Sequence, residues 1–576
     1  MKILLLILSF SISLNSISQQ SYIDYVSPYH PVVGNSGMVV SQNYLSSDIG
    51  IEILNKGGNA VDAAVAVGFS LAITLPRAGN LGGGGFMLVY IKEKEQVYFI
   101  DYRSRSPLNS NLQNIFSLSK NKKINPKDFR NEMFDITRYG YKASATPGTV
   151  SGLLDAHAAF GKLSLKDVLD PVINQANEGI LVSYDLHKAI ESTPQLKNDP
   201  ESKRIYFLDD EPLPENYLMK RPDLAKTITK ISEEGKKAFY QGDIADKIVD
   251  ASLKNNGLFS LEDFATYNSK FDAPIATSYR GNLVFTAGPP SGGGITLLTA
   301  LNVLSYFNLE RYKSDSITTY HLLSEAIRRG HNNRSHYVGD PDYFDVPTQQ
   351  LLSKERAKEL AGSIDKKKAS KSTDTNPFEP IKEGRDTTHY SIIDNEGNAV
   401  SNTYTLGYSF GSGVTIPDTG ILMNNQMNNF ALLAGSSIVS REASMANSFQ
   451  PGKRPMSTMS PVIVTNLSGD IFMITGSPGG SFIPPSILRV INGVIDFDLD
   501  IGRATMLTRI NKDWPNSKFE YEETLNADVK RALSKLHTNL IDSKTMGSTQ
   551  SIIIENDIKY GFADLRRPNA GVAIQN

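Results

Sequence analysis

A polar segment followed at once by two strand-like runs constrains the fold of this chain more than any other sequence feature. Between residues 353 and 385 the composition shifts to lysine, serine, aspartate and proline, and such a stretch cannot bury much apolar surface. Residues 389–394 and 398–406 follow as β-type runs on either side of the turn residues Asn395-Glu396-Gly397. We therefore predict a mobile linker over residues 353–386 and a β-hairpin directly after it.

The rest of the chain predicts a mixture of helices and strands. Residues 46–76 are typical of two helices broken at Gly57-Gly58, and residues 149–270 are mostly helical in period. Residues 86–91 and 97–102 predict a hairpin that ends at Arg103. Further helices are predicted at 295–306 and 318–329, and further strands at 461–466, 471–475 and 551–555. This mixture indicates an α/β protein, and the pattern leaves the number of domains open.

The composition excludes several classes of function. The 576 residues are 40% hydrophobic and 21% charged, which is typical of a globular protein with a large core. Lysine and arginine (59) nearly balance aspartate and glutamate (61), so no long-range field of one sign favours a nucleic acid or an anionic membrane. The absence of cysteine excludes disulfides, thiolate nucleophiles and cysteine zinc sites. The eight histidines show no metal-ligand spacing, and we predict neither a metal nor a cofactor.

The first twenty residues are typical of a secretory signal. Lys2 precedes an apolar run over residues 3–14, and a small-x-small site follows within residues 15–20. The alternative is a first buried strand or helix. No later stretch is apolar enough to span a bilayer, so we expect an exported protein, periplasmic or extracellular, without a stable membrane span.

Thr387 begins the predicted hairpin directly after the polar segment. If the bond between Asp386 and Thr387 were cut, Thr387 would carry both a hydroxyl group and a free α-amino group. Because such an amine titrates near about 7.7–8.0, it can accept the hydroxyl proton at neutral pH. The hairpin register places Tyr404 or Thr405 opposite Thr387, so Thr405 could hydrogen-bond the nucleophile. The alternative is a hairpin rich in threonine only because threonine favours strands.

Short motifs occur along nearly all of the mature chain. They are residues 57–63, 82–87, 147–150, 288–293, 339–342, 386–394, 397–400, 403–405, 424–427, 453–457, 475–481 and 547–551. Each motif is weak alone, but their order and spacing are specific. Together they resemble the motifs of gamma-glutamyltranspeptidases, a family of N-terminal nucleophile hydrolases.

The resemblance implies a fold and a division of the chain. It implies the four-layer αββα sandwich of N-terminal nucleophile hydrolases, built from both halves of the chain. Residues 21–386 would form a large subunit and residues 387–576 a small catalytic subunit, which stay together as a heterodimer after self-cleavage. The family pattern also selects Thr387 rather than Thr388 as the nucleophile, with Thr405 beside it.

The resemblance assigns further residues to the site. Gly479 and Gly480 match the oxyanion-hole residues, although Pro478-Gly479-Gly480 alone is typical of a turn. Arg103 matches the arginine that binds the substrate α-carboxylate, and its alternative is a surface charge. The remaining substrate-binding candidates are Gln426, Asn429, Ser457 and Thr458.

Four departures from the family pattern bear on specificity. Asn429 replaces an acidic residue that contacts the substrate ammonium, and Gly407 replaces an asparagine that many members use in substrate contact and self-cleavage. Ser104-Arg105-Ser106 replaces an acidic and a small apolar residue, and the lid segment 431–450 has no tyrosine.

The predicted function is that of a self-cleaving amidase that hydrolyses or transfers the gamma-glutamyl group of glutathione or another gamma-glutamyl amide. One alternative keeps the chemistry but changes the acyl group, for example to glutaryl as in cephalosporin acylases. The other alternative is an uncleaved, non-catalytic binding protein of the same fold.

Overall fold

The computed structural model describes residues 27–116, 132, 134–371, 384, 386–431, 445–514 and 518–575. The predicted signal sequence, residues 1–20, lies outside this part of the chain. The α-helices are Tyr44–Asn55, Ala60–Thr74, Leu112–Phe116, Thr149–Phe160, Leu165–Glu178, Tyr184–Glu191, Pro200–Tyr206, Pro222–Glu234, Lys236–Tyr240, Asp243–Lys254, Leu261–Ala265, Gly292–Leu304, Ile317–Tyr337, Thr348–Leu351, Lys354–Gly362, Ile483–Ile495, Ile501–Met506 and Ala527–Leu536.

Most strands belong to two large antiparallel sheets. In chain order the strands are β1 (Val32–Gly34), β2 (Met38–Ser41), β3 (Gly84–Ile91), β4 (Gln96–Tyr102), β5 (Ile180–Leu181), β6 (Phe207–Leu208), β7 (Glu211–Pro212), β8 (Leu218–Met219), β9 (Lys270–Asp272), β10 (Ile275–Tyr279), β11 (Asn282–Thr286), β12 (Asp386–Ile393), β13 (Ala399–Gly407), β14 (Val462–Thr465), β15 (Ile471–Thr475), β16 (Ile510–Lys512), β17 (Phe519–Tyr521), β18 (Leu540–Asp542), β19 (Gln550–Glu555), β20 (Ile558–Ala563) and β21 (Gly571–Ile574). The hairpin sheet has the order β21-β2-β12-β13-β3-β4-β9, and the second sheet has the order β1-β20-β19-β15-β14-β11-β10.

Strand β3 explains how the two sheets pack. Phe86 and Leu88 lie in one apolar core with Ile474 of the second sheet, whereas Met87 and Val89 lie in another core with the helix Ala60–Thr74. Because side chains alternate between the faces of a strand, one face of the hairpin sheet meets the second sheet and the other meets helices. The hairpin sheet is therefore buried on both faces.

Helices cover the outer face of each sheet. Ala60–Thr74 packs on the hairpin sheet, where Tyr390 and Tyr404 donate their hydroxyl hydrogens to the carbonyls of Ala64 and Gly68, both at 2.8 Å. Gly292–Leu304 and Ile483–Ile495 contribute buried apolar residues to the core that includes the second sheet. The predicted four-layer αββα sandwich is thus confirmed.

The helix break at Gly57-Gly58 and the start of the helix that follows it are formed as predicted. Asn59 caps the helix Ala60–Thr74, and Asp62 accepts the backbone N–H of Asn59 in return. The N–H of Ala60 also donates to Asp394 of the hairpin turn at 2.9 Å. This contact fixes the helix against the far end of the β12–β13 hairpin.

The structure differs from the predicted linker at its beginning. Lys354–Gly362 is a helix capped by Ser353, and its Ala357 and Ala361 are buried. Two alanines four positions apart give this polar helix a narrow apolar face that can pack. Composition alone does not reveal such a face. Residues 372–383 and 385 of the predicted linker lie outside the described residues.

The two β-hairpins and the second-half strands lie close to their predicted positions. The observed strands β12, β13, β14, β15 and β19 differ from the predicted bounds by at most three residues at either end. Within the described residues, the structure contains no helix with both the length and the apolar character needed to cross a membrane.

Candidate active site

Thr387 lies in β12, and an irregular register surrounds it. The hairpin pairs regularly from Ile393↔Ala399 to Thr388↔Tyr404, but the next pair is Asp386↔Gly407. Thr387 therefore falls in a β-bulge, where one strand has an extra residue. The side chain of Thr387 is buried, with 5% of the residue exposed.

Thr405 contacts the bond before Thr387 rather than the Thr387 hydroxyl group. Its Oγ1 donates to the carbonyl oxygen of Asp386 at 2.8 Å and accepts the N–H of Gly407 at 2.8 Å. The bulge shifts the pairing of β12 and β13 by one residue. This shift removes the direct hydrogen bond between Thr387 and Thr405 that a regular hairpin would allow. In the uncut chain, Thr405 thus polarises the carbonyl group of the residue that precedes Thr387.

Thr387 shares a small cavity with most of the predicted site residues. The cavity has a volume of about 20 Å³ and is lined by Arg103, Gly384, Thr387, Thr405, Gly407, Asn429, Ser457, Thr458, Met459 and Gly480. Such a volume holds about one water molecule. Since Gly384 forms part of the wall, the segment before Thr387 narrows the cavity in the uncut chain.

Two predicted residues stand just behind this lining. Gln426 donates its Nε2 hydrogen to the carbonyl of Thr405 at 2.7 Å, so it supports the strand that carries Thr405. Gly479 precedes Gly480 without lining the cavity itself. The wall residues Gly384 and Met459 were not predicted, because neither carries a side-chain chemistry that sequence motifs reveal.

Gly479 and Gly480 form a turn that leads into a helix. Their φ angles are +130° and +57°, a region in which glycine avoids the strain that other residues incur. A short 3-10 turn, Gly480–Phe482, then continues into the helix Ile483–Ile495. Backbone N–H groups at such a helix start favour negative charge, so a turn at these glycines is compatible with their predicted role in an oxyanion hole.

Arg103 is a buried side chain, and its reading as a surface charge is wrong. The residue follows β4, is 1% exposed, and donates from Nε to the carbonyl of Pro455 at 3.1 Å. Its Nη2 donates to Asn429 Oδ1 at 2.9 Å. Its own N–H donates to Asp101 Oδ1 at 2.8 Å. These contacts hold a guanidinium group at the cavity wall.

Ser457 and Thr458 are placed by a glycine-rich helix start. The carbonyl of Ser457 accepts the N–H groups of Gly292 and Gly293 at 2.7 and 3.3 Å, and the N–H of Ser457 donates to Pro290. The first N–H groups of the helix Gly292–Leu304 are thereby used within the protein. These N–H groups are therefore not available to bind an anion.

Asn429 has its only side-chain oxygen turned towards Arg103. A guanidinium group has donors only, so the atom that contacts it at 2.9 Å must be Oδ1 rather than Nδ2. The acceptor expected to meet a substrate ammonium is thus already engaged. Asn429 can still offer the donor group Nδ2 and the second lone pair of Oδ1.

Gly407 has a conformation and a neighbour that exclude a side chain. Its φ is +112°, and a Cβ atom there would lie 2.1 Å from Asn425 Oδ1. The Asn425 side chain instead accepts the N–H of Tyr408 and donates to the carbonyl of Gly411. Asn425, which directly precedes the 3-10 turn Gln426–Asn429, therefore fills the space beside Gly407.

Histidine is not available as a base beside Thr387. His389, two residues away, is buried, and burial lowers its pKa to about 3, so the ring is neutral. Its two ring nitrogens bond Thr403 Oγ1 at 2.8 Å and Ser391 Oγ at 3.1 Å. The ring is thus a structural link within β12 and β13.

Asp386 meets charged residues that the sequence analysis did not single out. Arg77 Nη1 lies 3.1 Å from Asp386 Oδ1, and Arg567 Nη2 lies 3.7 Å from the same oxygen. Arg77 also pairs with Asp185 at 3.0 Å. These residues are far apart in sequence and belong to no recognised motif, so only the fold brings them together.

One buried cluster of metal-binding residue types is occupied by protein cations. His321, Glu325 and His537 offer ligand atoms within 4.8 Å of one another. Glu325, however, pairs with Lys512 at 2.5 Å and with Arg329 at 2.8 Å. Glu325 and Arg329 therefore form a structural ion pair, and the ammonium group of Lys512 lies where a metal ion would bind Glu325.

Comparison with known proteins agrees with this arrangement. The family model for gamma-glutamyltranspeptidase matches residues 46–574. A glutathione hydrolase proenzyme of Escherichia coli (strain K12) is 37% identical over 543 residues, which cover 93% of this chain and 92% of that protein. An acylase ACY 1 proenzyme of Pseudomonas sp. (strain SE83) is 31% identical over 557 residues, covering 96% of each.

A solved structure gives the same result for the fold. The crystal structure of a cephalosporin acylase from Bacillus halodurans superposes with a TM-score of 0.82 at 26% identity, covering 97% of this chain and 99% of that chain. Sequence and fold agree over nearly the whole length, and the chain belongs to the gamma-glutamyltranspeptidase family.

Proposed function

We propose that the chain cuts itself between Asp386 and Thr387 and then uses Thr387 to hydrolyse or transfer the gamma-glutamyl group of glutathione or a related amide. One observation carries this proposal. Thr387 shares a single cavity with the Arg103 guanidinium group, the Ser457 hydroxyl group and Gly480, while the carbonyl before it is bonded to Thr405. Such an arrangement combines a nucleophile, an oxyanion site and a group that can bind a substrate carboxylate.

Self-cleavage proceeds through an ester. The Thr387 hydroxyl oxygen attacks the carbonyl carbon of Asp386, the peptide C–N bond breaks, and the hydroxyl proton ends on the new amine. Thr405 stabilises the carbonyl oxygen because its hydroxyl group already donates to it. Water then hydrolyses the ester, which leaves a carboxylate on Asp386 and restores the hydroxyl group of Thr387.

The freed Thr387 then acts on the substrate. Its amine takes the hydroxyl proton as the oxygen attacks the substrate amide, and the N–H groups of Gly479 and Gly480 hold the oxyanion. The leaving amine takes that proton, and an acyl ester remains on Thr387. Water or an acceptor amine attacks the ester to release the product.

The two fragments, 21–386 and 387–576, remain one heterodimer in this proposal. Strands β2, β3, β4 and β9 of the first fragment share the hairpin sheet with β12, β13 and β21 of the second. Separating the fragments would break both sheets and expose both apolar cores. The signal sequence proposed for residues 1–20 would direct this protein out of the cytoplasm.

A denaturing gel of the purified full chain, with mass spectrometry of the fragments, tests the proposal. We expect a new chain terminus at Thr387, and a Thr387→Ala variant that stays in one piece without amidase activity. Thr388→Ala is the matched control, because Thr388 is also buried in β12 but does not line the cavity. A single intact wild-type chain would instead favour the non-catalytic binding protein.

The pH dependence identifies the base. With an α-amine as base, kcat/KM for a gamma-glutamyl anilide should rise about tenfold per pH unit up to a pKa near about 7.7–8.0. A limb of the pH profile of kcat/KM near pH 6.5 that is absent in the His389→Gln variant would contradict the α-amine as the base.

The contact between Asn429 and Arg103 favours a second candidate acyl group. Residue 429 is an amide rather than a carboxylate, and its Oδ1 already accepts from Arg103, so this position offers no negative charge to a substrate ammonium. A glutaryl group lacks the ammonium but keeps both carbonyl ends. Comparing gamma-glutamyl and glutaryl anilides decides between them, and a clear preference for glutaryl would replace glutathione with an acylase substrate.

A further inference from the structure

The carboxylate of Asp386 is held between two arginines. Arg77 follows the helix Ala60–Thr74, and Arg567 lies between β20 and β21, so the pair approaches Asp386 from separate parts of the fold. Arg77 is itself anchored, since its Nη2 pairs with Asp185 at 3.0 Å and its carbonyl accepts the N–H of Phe410. The side chains of Arg77 and Asp386 are 11% and 21% exposed, so water screens this pair less than a surface pair.

The same residue carries the carbonyl group that self-cleavage attacks. Asp386 pairs with Gly407 in the sheet, and its carbonyl oxygen accepts from Thr405 at 2.8 Å. Gly384, two residues earlier, fits so closely that an added Cβ would lie 1.9 Å from the carbonyl oxygen of Gly407. The acyl side of the bond to be cut is thus fixed at the backbone, the carbonyl group and the carboxylate of Asp386.

Charge makes the carboxylate important for the reaction. When Thr387 attacks, the carbonyl oxygen of Asp386 gains negative charge a few bonds away from the Asp386 carboxylate. Like charges at such a distance raise the barrier unless nearby cations offset them. Arg77 and Arg567 are the cations in contact with that carboxylate among the described residues.

We propose that Arg77, braced by Asp185 and assisted by Arg567, is a positioning residue for self-cleavage that acts through the Asp386 carboxylate. It holds the side chain of Asp386 away from the developing oxyanion and offsets its charge, and so keeps the scissile carbonyl in line with the Thr387 hydroxyl. This inference rests on the proposed self-cleavage. Arg77 does not line the substrate cavity, so it has no part in the later amidase reaction.

The test follows cleavage of the full chain in time after cell-free synthesis, on a denaturing gel. Arg77→Gln should cleave about 10- to 100-fold more slowly, the size of effect that a small misplacement of reacting groups produces. Arg77→Lys keeps the charge and should recover part of the rate. Arg204→Gln is the control, because Arg204 also bridges two acids, Glu201 and Asp223, but lies elsewhere.

A double-variant cycle shows whether Arg77 acts through Asp386. In the double variant Arg77→Gln/Asp386→Asn, the negative charge that Arg77 no longer offsets is also removed, so this variant should cleave faster than Arg77→Gln alone. Once cut, Arg77→Gln should have wild-type amidase activity per cleaved chain. Thermal unfolding of Arg77→Gln in the uncut Thr387→Ala background, compared with Thr387→Ala alone, reports any loss of folding.

Two results would overturn the inference. One is wild-type cleavage in a folded Arg77→Gln chain. The other is a double variant whose rate is the product of the two single effects, as for independent sites. If Arg77→Gln does not fold, the Arg77→Lys and Asp386→Asn variants are compared with the wild type instead. Equal cleavage rates in all three chains reject the role of Arg77. An uncut wild-type chain would instead refute the proposed function itself.

Discussion

The cavity residues proposed for catalysis are built differently from those proposed for recognition. Thr387, Thr405 and Gly480 offer hydroxyl and backbone groups on strands or at a helix start, and none of them carries a charged side chain. Arg103 and Asn429 offer a guanidinium group and an amide, and they lie outside the strands. The first group depends on the sheet geometry, whereas the second depends on side-chain identity.

This difference teaches where variation is tolerated. A strand position in a doubly buried sheet cannot move without moving its neighbours, so the catalytic groups keep their geometry. A side chain at the end of a strand or in a short turn can change while the fold stays the same. We therefore expect substitutions in the recognition group to alter KM and acyl preference, and substitutions in the catalytic group to alter kcat.

The largest effect is expected for Arg103→Gln. Loss of the buried guanidinium group removes the proposed partner of the substrate carboxylate, and KM for a gamma-glutamyl anilide should rise by about 100-fold or more. Steady-state kinetics of the cleaved enzyme measure it, with kcat changing less than KM. Arg105→Gln is the control, because Arg105 binds Thr266 and Asp263 rather than the cavity. A loss confined to kcat would contradict the division into two groups.

Asn429→Asp should give the next largest effect. A carboxylate has two oxygens, so one can stay on Arg103 while the other meets the substrate ammonium. The ratio of kcat/KM for gamma-glutamyl over glutaryl anilide should rise by about 10- to 100-fold, since ionic hydrogen bonds are about twice as strong as neutral ones. Asn428→Asp is the neighbouring control, because Asn428 bonds Thr137 outside the cavity. An unchanged ratio would show that position 429 does not read the ammonium.

A smaller effect is expected for Gly480→Ala. The backbone N–H remains, but φ of +57° strains an alanine and shifts the donor slightly. We expect kcat to fall about tenfold while KM changes little, because the oxyanion forms only during the reaction. A rise in KM with constant kcat would place Gly480 in the recognition group instead.

The smallest effect is expected for Gly407→Asn, and it concerns stability rather than catalysis. The new side chain must displace Asn425 at a φ of +112°, which should cost about 1–3 kcal/mol of unfolding free energy. Thermal unfolding of the Thr387→Ala chain with and without the change measures it. Gly362→Asn is the control, since no atom lies within 4 Å of a Cβ there. Equal stability would mean that Asn425 moves aside freely.

The sequence predicted the order of elements well, and the reasons are local. The break at Gly57-Gly58, the cap at Asn59 and the turn at Asn395-Glu396-Gly397 each contain their own signal. The family pattern supplied the αββα fold and selected Thr387 and Arg103, which periodicity alone could not do. The helix Lys354–Gly362 was missed, because two buried alanines do not stand out in a polar segment.

The sequence by itself determined the strands, the helices and the residue types that carry the chemistry. Tertiary structure decided that a bulge turns the Thr405 hydroxyl group to the carbonyl of Asp386, that Asn429 Oδ1 accepts from Arg103, and that Arg77 pairs with Asp386. The physical reason is the distance along the sequence over which each interaction acts. Helix periods, caps and turns depend on neighbours a few residues apart, whereas hydrogen bonds between distant segments exist only after the sheets and helices have packed.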